Sequence, residues 1–320
     1  METLSNEEMA TNDADGRPIN FFFPAKKIKH KPSVSLRMLE GILALKVEGK
    51  VNDRFDDILF IDMGAFDSII EKEVSTNPDF WDTIGISLLQ KAIELDLLQL
   101  VDMLLDHAKD AKIIIDQSEV LFLACECNNF DAVEMLLEYG ADAHKWRDDF
   151  GEYETCLHIA CRMELLDIMR LLIKHGVDVN AMHTDQAPAL VYAAASTCSK
   201  IEAVRLLLDN GADVNLINTE SESSSYDTGL SYACRNGFVA LAELLLDNGA
   251  DINCVNFDGD TPLILVLNSR PTSALVPLLL KRGADVTIVN KEGHTALDCV
   301  AADSEVAQLI ANSQLEHILK

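Results

Sequence analysis

Gly140-Ala141-Asp142, Gly176-Val177-Asp178, Gly211-Ala212-Asp213, Gly249-Ala250-Asp251 and Gly283-Ala284-Asp285 are five copies of one tripeptide, separated by 36, 35, 38 and 34 residues. Self-similarity with a period in the thirties marks a solenoid of stacked supersecondary units. Upstream of each glycine lies a Leu-rich segment with helical periodicity, at 132–137, 166–173, 204–208, 240–246 and 275–280. Each predicts an amphipathic helix stopped by a glycine in the left-handed conformation that other residues adopt only at a cost.

A second short helix begins roughly 21 residues before most of these glycines, at Thr155-Cys156-Leu157-His158-Ile159-Ala160, Thr228-Gly229-Leu230-Ser231-Tyr232-Ala233 and Thr261-Pro262-Leu263, and again at Thr295-Ala296-Leu297. The Thr hydroxyl satisfies a free amide at the helix start, and Pro has no amide to satisfy. The repeating unit is therefore helix, tight turn, helix, extended loop. These residues are similar to the ankyrin repeat family, with its period of about 33 and its T-P-L-H-x-A signature. Thr155 to Ala160 departs only at the Pro position, and Asn256-Phe257-Asp258-Gly259-Asp260-Thr261-Pro262-Leu263 also carries the family's Asp-Gly loop tip.

The resemblance covers residues 84–320 and implies an all-α ankyrin-repeat solenoid with β-hairpin-like loops. It divides into a degenerate first repeat at 87–111, with Ala108 in the glycine slot, and later repeats from Glu119, Thr155, Ala187, Thr228 and Thr261. A seventh from Thr295 is truncated after Asn312, and 313–320 closes the stack. Residues 1–32 read as a disordered tail, acidic and then basic, and 33–83 as a helical N-terminal cap, with apolar residues at Leu36, Leu39, Ile42, Leu43, Leu45 and Val47 in helical spacing.

The chain has 320 residues, 53 Asp plus Glu against 26 Lys plus Arg, a net charge of -27, and 48% hydrophobic but only 6% aromatic residues. Such a charge repels phosphate backbones and attracts basic partners, so nucleic acid is not expected and proteins with basic surfaces are. No apolar run approaches the roughly 20 residues that span a bilayer, so no membrane insertion is expected. The first ten residues lack a secretory pattern, and eight cysteines without framework spacing read as reduced thiols. A cytoplasmic monomer is expected. Nuclear entry is added if Lys26, Lys27, Lys29 and Lys31 act as the import signal that they resemble; the alternatives for this basic run are a solvated linker and an intramolecular latch on the acidic repeats.

The chemistry is sparse. Cys156, His158 and Cys161 could suggest zinc, but they fall in an inner helix where burial is the default, and a closed site needs four convergent ligands. His158, three residues after Thr155, can instead hydrogen-bond the Thr hydroxyl and lock the turn. There is no nucleophile elbow, phosphate loop or H-E-x-x-H motif. Carboxylates such as Asp148, Asp149, Glu152 and Glu154 sit in exposed-looking loops, so no catalytic residue, metal or cofactor is expected.

The loops between repeats carry the individuality. The interval from Gly to the next Thr is 12 residues at Gly249 and Gly283, but 15 from Gly140 and 17 from Gly211. Insertions in repeat proteins collect on one face, often the binding face. The first long finger contains Trp146, Arg147, Phe150 and Tyr153; Tyr226 ends the second, and Phe257 stands at the next tip. Aromatics and Arg dominate interface hot spots, so these are candidate contact residues, the alternative being that an aromatic folds back onto its own finger. Ser224 and Thr219 each precede an acid by three residues, an acid-directed kinase pattern that also occurs by chance. The resemblance further implies a concave groove lined seven and eight places after the Thr slot, at Glu126 and Cys127, Arg162 and Met163, Arg235 and Asn236, and Asn268 and Ser269. Arg162 and Arg235 would suit an acidic or carboxylate group on a partner. The expected function is a non-catalytic protein-binding scaffold or regulator, the alternative being a substrate-recruiting adaptor of a ubiquitin ligase or other multiprotein complex.

Overall fold

The computed structural model describes residues 11–12, 18–19, 63–149, 152–182, 187–195, 201–217, 227–269, 274–302 and 304–318. The basic run at Lys26, Lys27, Lys29 and Lys31, the Leu36 to Val47 stretch of the expected N-terminal cap, Phe150, Thr219, Ser224 and Tyr226 lie outside the described residues.

The architecture is an all-α solenoid of stacked helix pairs. A short antiparallel pair, β1 (Thr11–Asn12) and β2 (Pro18–Ile19), precedes α1 (Met63–Thr76). A π-helical turn at Trp81–Gly85 then runs into α2 (Ile86–Glu94), which pairs with α3 (Leu98–Asp106). The following pairs are α5 (Val120–Glu126) with α6 (Phe130–Glu138), α7 (Cys156–Met163) with α8 (Leu166–Lys174), and α9 (Ala189–Ala195) with α10 (Ile201–Asp209). They continue as α11 (Gly229–Asn236) with α12 (Val239–Asp247), and α13 (Pro262–Ser269) with α14 (Leu275–Lys281). Inner helices stack as α2, α5, α7, α9, α11, α13, and outer helices as α3, α6, α8, α10, α12.

The core is continuous along this stack. Ala92, Ala124, Ala160, Ala193 and Ala233 hold one inner-helix position and are all buried, small side chains that let adjacent helices approach. Cys125, Cys161 and Cys234 share the next position and are buried too, behaving as small hydrophobes. From the outer helices, residues such as Val133, Leu136, Met169, Leu172, Val204 and Leu207 close the layer. Each buried Leu or Val contributes roughly 1.5–3 kcal/mol of transfer free energy, and a helix pair alone cannot bury both of its faces.

The cap glycines behave as read: Gly140, Gly176, Gly211, Gly249 and Gly283 have φ between +82° and +91°. Pro277 is the third residue of α14, inside the first turn where its missing amide has no helical partner. Three features differ from the sequence reading. The loop after the first pair is itself a helix, α4 (Ala111–Ser118), started by Asp110, whose carboxylate accepts from the Ile113 amide at 3.2 Å. The fourth repeat's helix starts at Ala189, which puts Pro188 rather than Ala187 in the cap slot. At the C-terminal end, residues 296–300 form turns, and α15 (Glu305–Ile318) runs unbroken past Asn312, so 313–318 continues the last helix.

Candidate functional site

The finger between Gly140 and Thr155 is an antiparallel hairpin, β3 (Arg147–Asp149) with β4 (Glu152–Glu154), pairing Arg147 with Glu154, Asp148 with Tyr153 and Asp149 with Glu152. This register sets Arg147 directly across from Glu154. The Arg147 guanidinium reaches Glu154 Oε1 at 2.7 Å and Glu126 Oε1 on α5 at 2.5 Å, and lies over the Phe122 ring at 5.1 Å. Its side chain is only 13% exposed. Burial works against the charge, but the hydrogen bonds and charges of Glu126 and Glu154 outweigh it and hold Arg147 more firmly protonated than a free arginine. Arg147, expected as a hot-spot contact, is thus an internal tie between finger and inner helix. Glu154, read as a solvated loop carboxylate, is buried.

Arg162, at the C-terminal end of α7, reaches back to Glu154 Oε2 at 3.2 Å. Arg235 repeats the arrangement two repeats later, gripping buried Asp227 with both carboxylate oxygens, at 2.5 and 3.0 Å. In both cases the acid immediately precedes the Thr cap and the Arg follows that Thr by seven residues. Each of these two cations, expected to suit an acidic group on a partner, is paired with a carboxylate of its own chain while its side chain stays 48% (Arg162) or 39% (Arg235) exposed. The same pairing engages Asp227, the acid three residues after Ser224.

Behind the finger, His158 is buried. Its Nδ1 accepts from the Thr155 amide at 3.2 Å and lies 2.8 Å from the Thr155 hydroxyl, closing a capping box. Since Nδ1 accepts, the neutral ring carries its proton on Nε2. Burial pushes its pKa down to about 4, against the opposing pull of the Glu154 charge and the Ala187 carbonyl. Trp146 lies against one side of the ring at 5.3 Å and Tyr192 of α9 meets it edge-on at 5.3 Å. Trp146 therefore folds back onto α7, and His158 in turn meets α9 through Tyr192. Among the described residues no group of three or more His, Cys, Asp or Glu side chains converges on a metal position. The seven cysteines described are free thiols. Burial, then Cys125, raises the Cys156 thiol well above its ordinary value, keeping it protonated.

What remains at the surface is a row at the ends of the inner helices: Cys127, Arg162, Met163, Asn268 and Ser269 are exposed and Glu126, Arg235 and Asn236 half-buried. Tyr153 is half-buried in the hairpin. Phe257, at the tip of a shorter finger, is 53% exposed, with Lys291 Nζ of the next finger 3.8 Å from its ring centre. The sequence reading missed Glu154, Asp227 and Glu126 as the partners that set the arginines. The signal was there as an acid eight residues before Arg162 and Arg235.

The family model "Ankyrin repeats (3 copies)" matches residues 143–218 and 230–318, and the model "Ankyrin repeat" matches 116–145. The chain belongs to the ankyrin repeat family. Ankyrin repeats are in general protein-protein interaction modules, typically without catalysis. The ankyrin repeat domain of Bcl-3, described as a unique member of the IkappaB protein family, superposes with a TM-score of 0.58 at 24% identity, over 70% of this chain and 97% of that one. The human ASB11 ankyrin repeat domain gives a TM-score of 0.55 at 22% identity, over 70% and 96%. At these identities the likeness is one of fold. No curated protein sequence matches. Among the described residues no helix of this ankyrin array is long and apolar enough to cross a membrane.

Proposed function

We propose that this ankyrin array is a non-catalytic protein-binding scaffold whose contact surface is the row of inner-helix ends with the adjoining fingers. The observation that carries this reading is the division of labour at the long finger. Arg147, Trp146 and His158 are consumed in bonds that hold it to α5, α7 and α9, while Met163 and Cys127 beside them are left exposed. A surface held by its own ion pairs loses little entropy when a partner docks. Partner contacts are therefore assigned to Met163, Arg162 through its outer edge, Asn236 and Phe257, rather than to the buried part of the finger.

The test is capture of partners from cells by the full chain, identified by mass spectrometry, for wild type against Met163→Glu combined with Asn268→Arg. Both positions are exposed, so the melting temperature should not change. Loss of reproducible partners is expected, and an identical partner set would overturn the reading. Ligase subunits among the lost partners would assign the adaptor role. A reporter carrying residues 1–40 tests import by the Lys26 to Lys31 run: nuclear accumulation is the result that supports it.

A further inference from the structure

The fingers carry a second column of apolar side chains besides the one that serves the core. Three residues after each cap glycine the side chain serves the core, as at Ala143, Val179, Val214 and Val286, all buried. Six residues after it stand Trp146, Met182, Ile217, Val255 and Val289. Trp146 is folded onto His158, but Met182 is 40%, Val255 47% and Val289 55% exposed, with Ile217 half-buried between them. Phe257 extends this strip beside Val255.

Two further observations concern the same four loops. A ladder of asparagines locks them into register. Asn180 accepts from the Asp213 amide at 2.8 Å and donates to the Gly211 carbonyl at 3.0 Å. Asn215 repeats this with Asp251 and Gly249 at 2.7 and 3.1 Å, and Asn253 accepts from Asp285 at 2.8 Å. The loops 176–182, 211–217, 249–260 and 283–294 also carry seven Asp or Glu against one lysine, Lys291. Exposed apolar side chains repeated along a rigid edge mark an interaction surface, and the carboxylates around them favour a cationic occupant.

We propose that this edge, Met182, Ile217, Val255, Phe257 and Val289, docks an extended partner segment that carries an apolar residue at every third position and basic residues between. The proposal rests on the protein-binding reading above and names the partner's chemistry. The spacing follows from geometry: adjacent helices pack about 8–10 Å apart, and an extended chain advances about 3.1–3.3 Å per residue. Every third residue therefore meets the next repeat, and in a three-fold extended helix those residues share one face.

The probe is a labelled synthetic peptide of four Leu-Lys-Ser units, titrated by fluorescence anisotropy onto the full chain. Its controls are a peptide of identical composition with the leucines contiguous and one with Glu in place of Lys. Expected are saturable, salt-sensitive binding of the first peptide, weaker binding of both controls, and about tenfold loss in a Val255→Ser, Val289→Ser variant. Both substituted side chains are half exposed, so the variant should melt like wild type. Equal affinity for the contiguous-leucine peptide, or unchanged affinity in the variant, would overturn the proposal. So would a dimer in sedimentation that the variant disperses, since the edge would then belong to a second copy. If no peptide binds while Met163→Glu still strips partners in the capture experiment, the edge assignment alone fails and the binding role stands.

Discussion

Replacing Arg147 by Met keeps an unbranched apolar side chain at this place but removes the guanidinium that lies over Phe122 and the charge that two carboxylates surround. Glu154 would then keep only Arg162, at 3.2 Å, while its side chain stays 9% exposed. Removing one partner of a buried pair costs about 3–5 kcal/mol in general. Here Arg162 remains in contact and Glu126, 36% exposed, can turn to water, so a loss of about 2–3 kcal/mol is expected. For an array of this size that is roughly 5–10 °C in melting temperature. Urea unfolding followed by circular dichroism gives the measurement, and Glu154→Gln on the same background supplies the decisive comparison. With both charges gone no buried charge is orphaned, since Arg162 and Glu126 can both turn to water, so the double variant should recover more than about 1 kcal/mol relative to Arg147→Met. A single variant within about 0.5 kcal/mol of wild type, the ordinary range for surface substitutions, would refute the reasoning. It would also restore Arg147 to the contact residues.

Acid should weaken the array through His158. Its folded pKa of about 4 lies below the ordinary 6.5, so the neutral ring's advantage is fully present above pH 6.5. It is lost as pH falls towards 4, by roughly 3 kcal/mol. The urea midpoint of His158→Gln should show a shallower slope over that window, and an identical slope would contradict the assignment. Gly229→Ala would place a Cβ 2.9 Å from Leu190 Cδ2, so a loss of about 1–3 kcal/mol is expected from overpacking; an unchanged midpoint would show that the Leu190 side chain turns aside without cost. Asn215→Ala removes two bonds between consecutive fingers. Hydrogen exchange should then quicken at the Asp251 amide, and unchanged protection there would argue against the ladder.

The repeats were legible because each depends on local rules. A glycine with positive φ, a Thr cap and a Leu-rich outer helix recur at fixed spacing, and the His158 capping box spans only three residues. The finger's interior was not legible in the same way. Arg147 meets Glu126 across 21 residues and Glu154 across seven, and only the stacking of one repeat on the next brings them together. An arginine in a loop of aromatics reads as an exposed hot spot until its carboxylates are found. Helix α4 was hidden for another reason: Ile113, Ile114 and Ile115 are contiguous, a run that periodicity cannot assign to helix or loop. Ile115 is buried and Ile113 is 49% exposed, the two-sided pattern that a helix imposes once it packs.

The most direct test of the binding surface is site-specific photo-crosslinking in cells with the full chain. A photoreactive phenylalanine would be placed at Met163, on the inner-helix row, and separately at Arg170, an exposed position on outer helix α8. Crosslinks to partner proteins from position 163 and none from position 170 are predicted. Crosslinks from position 170 alone would contradict the account and place the interface on the outer helices.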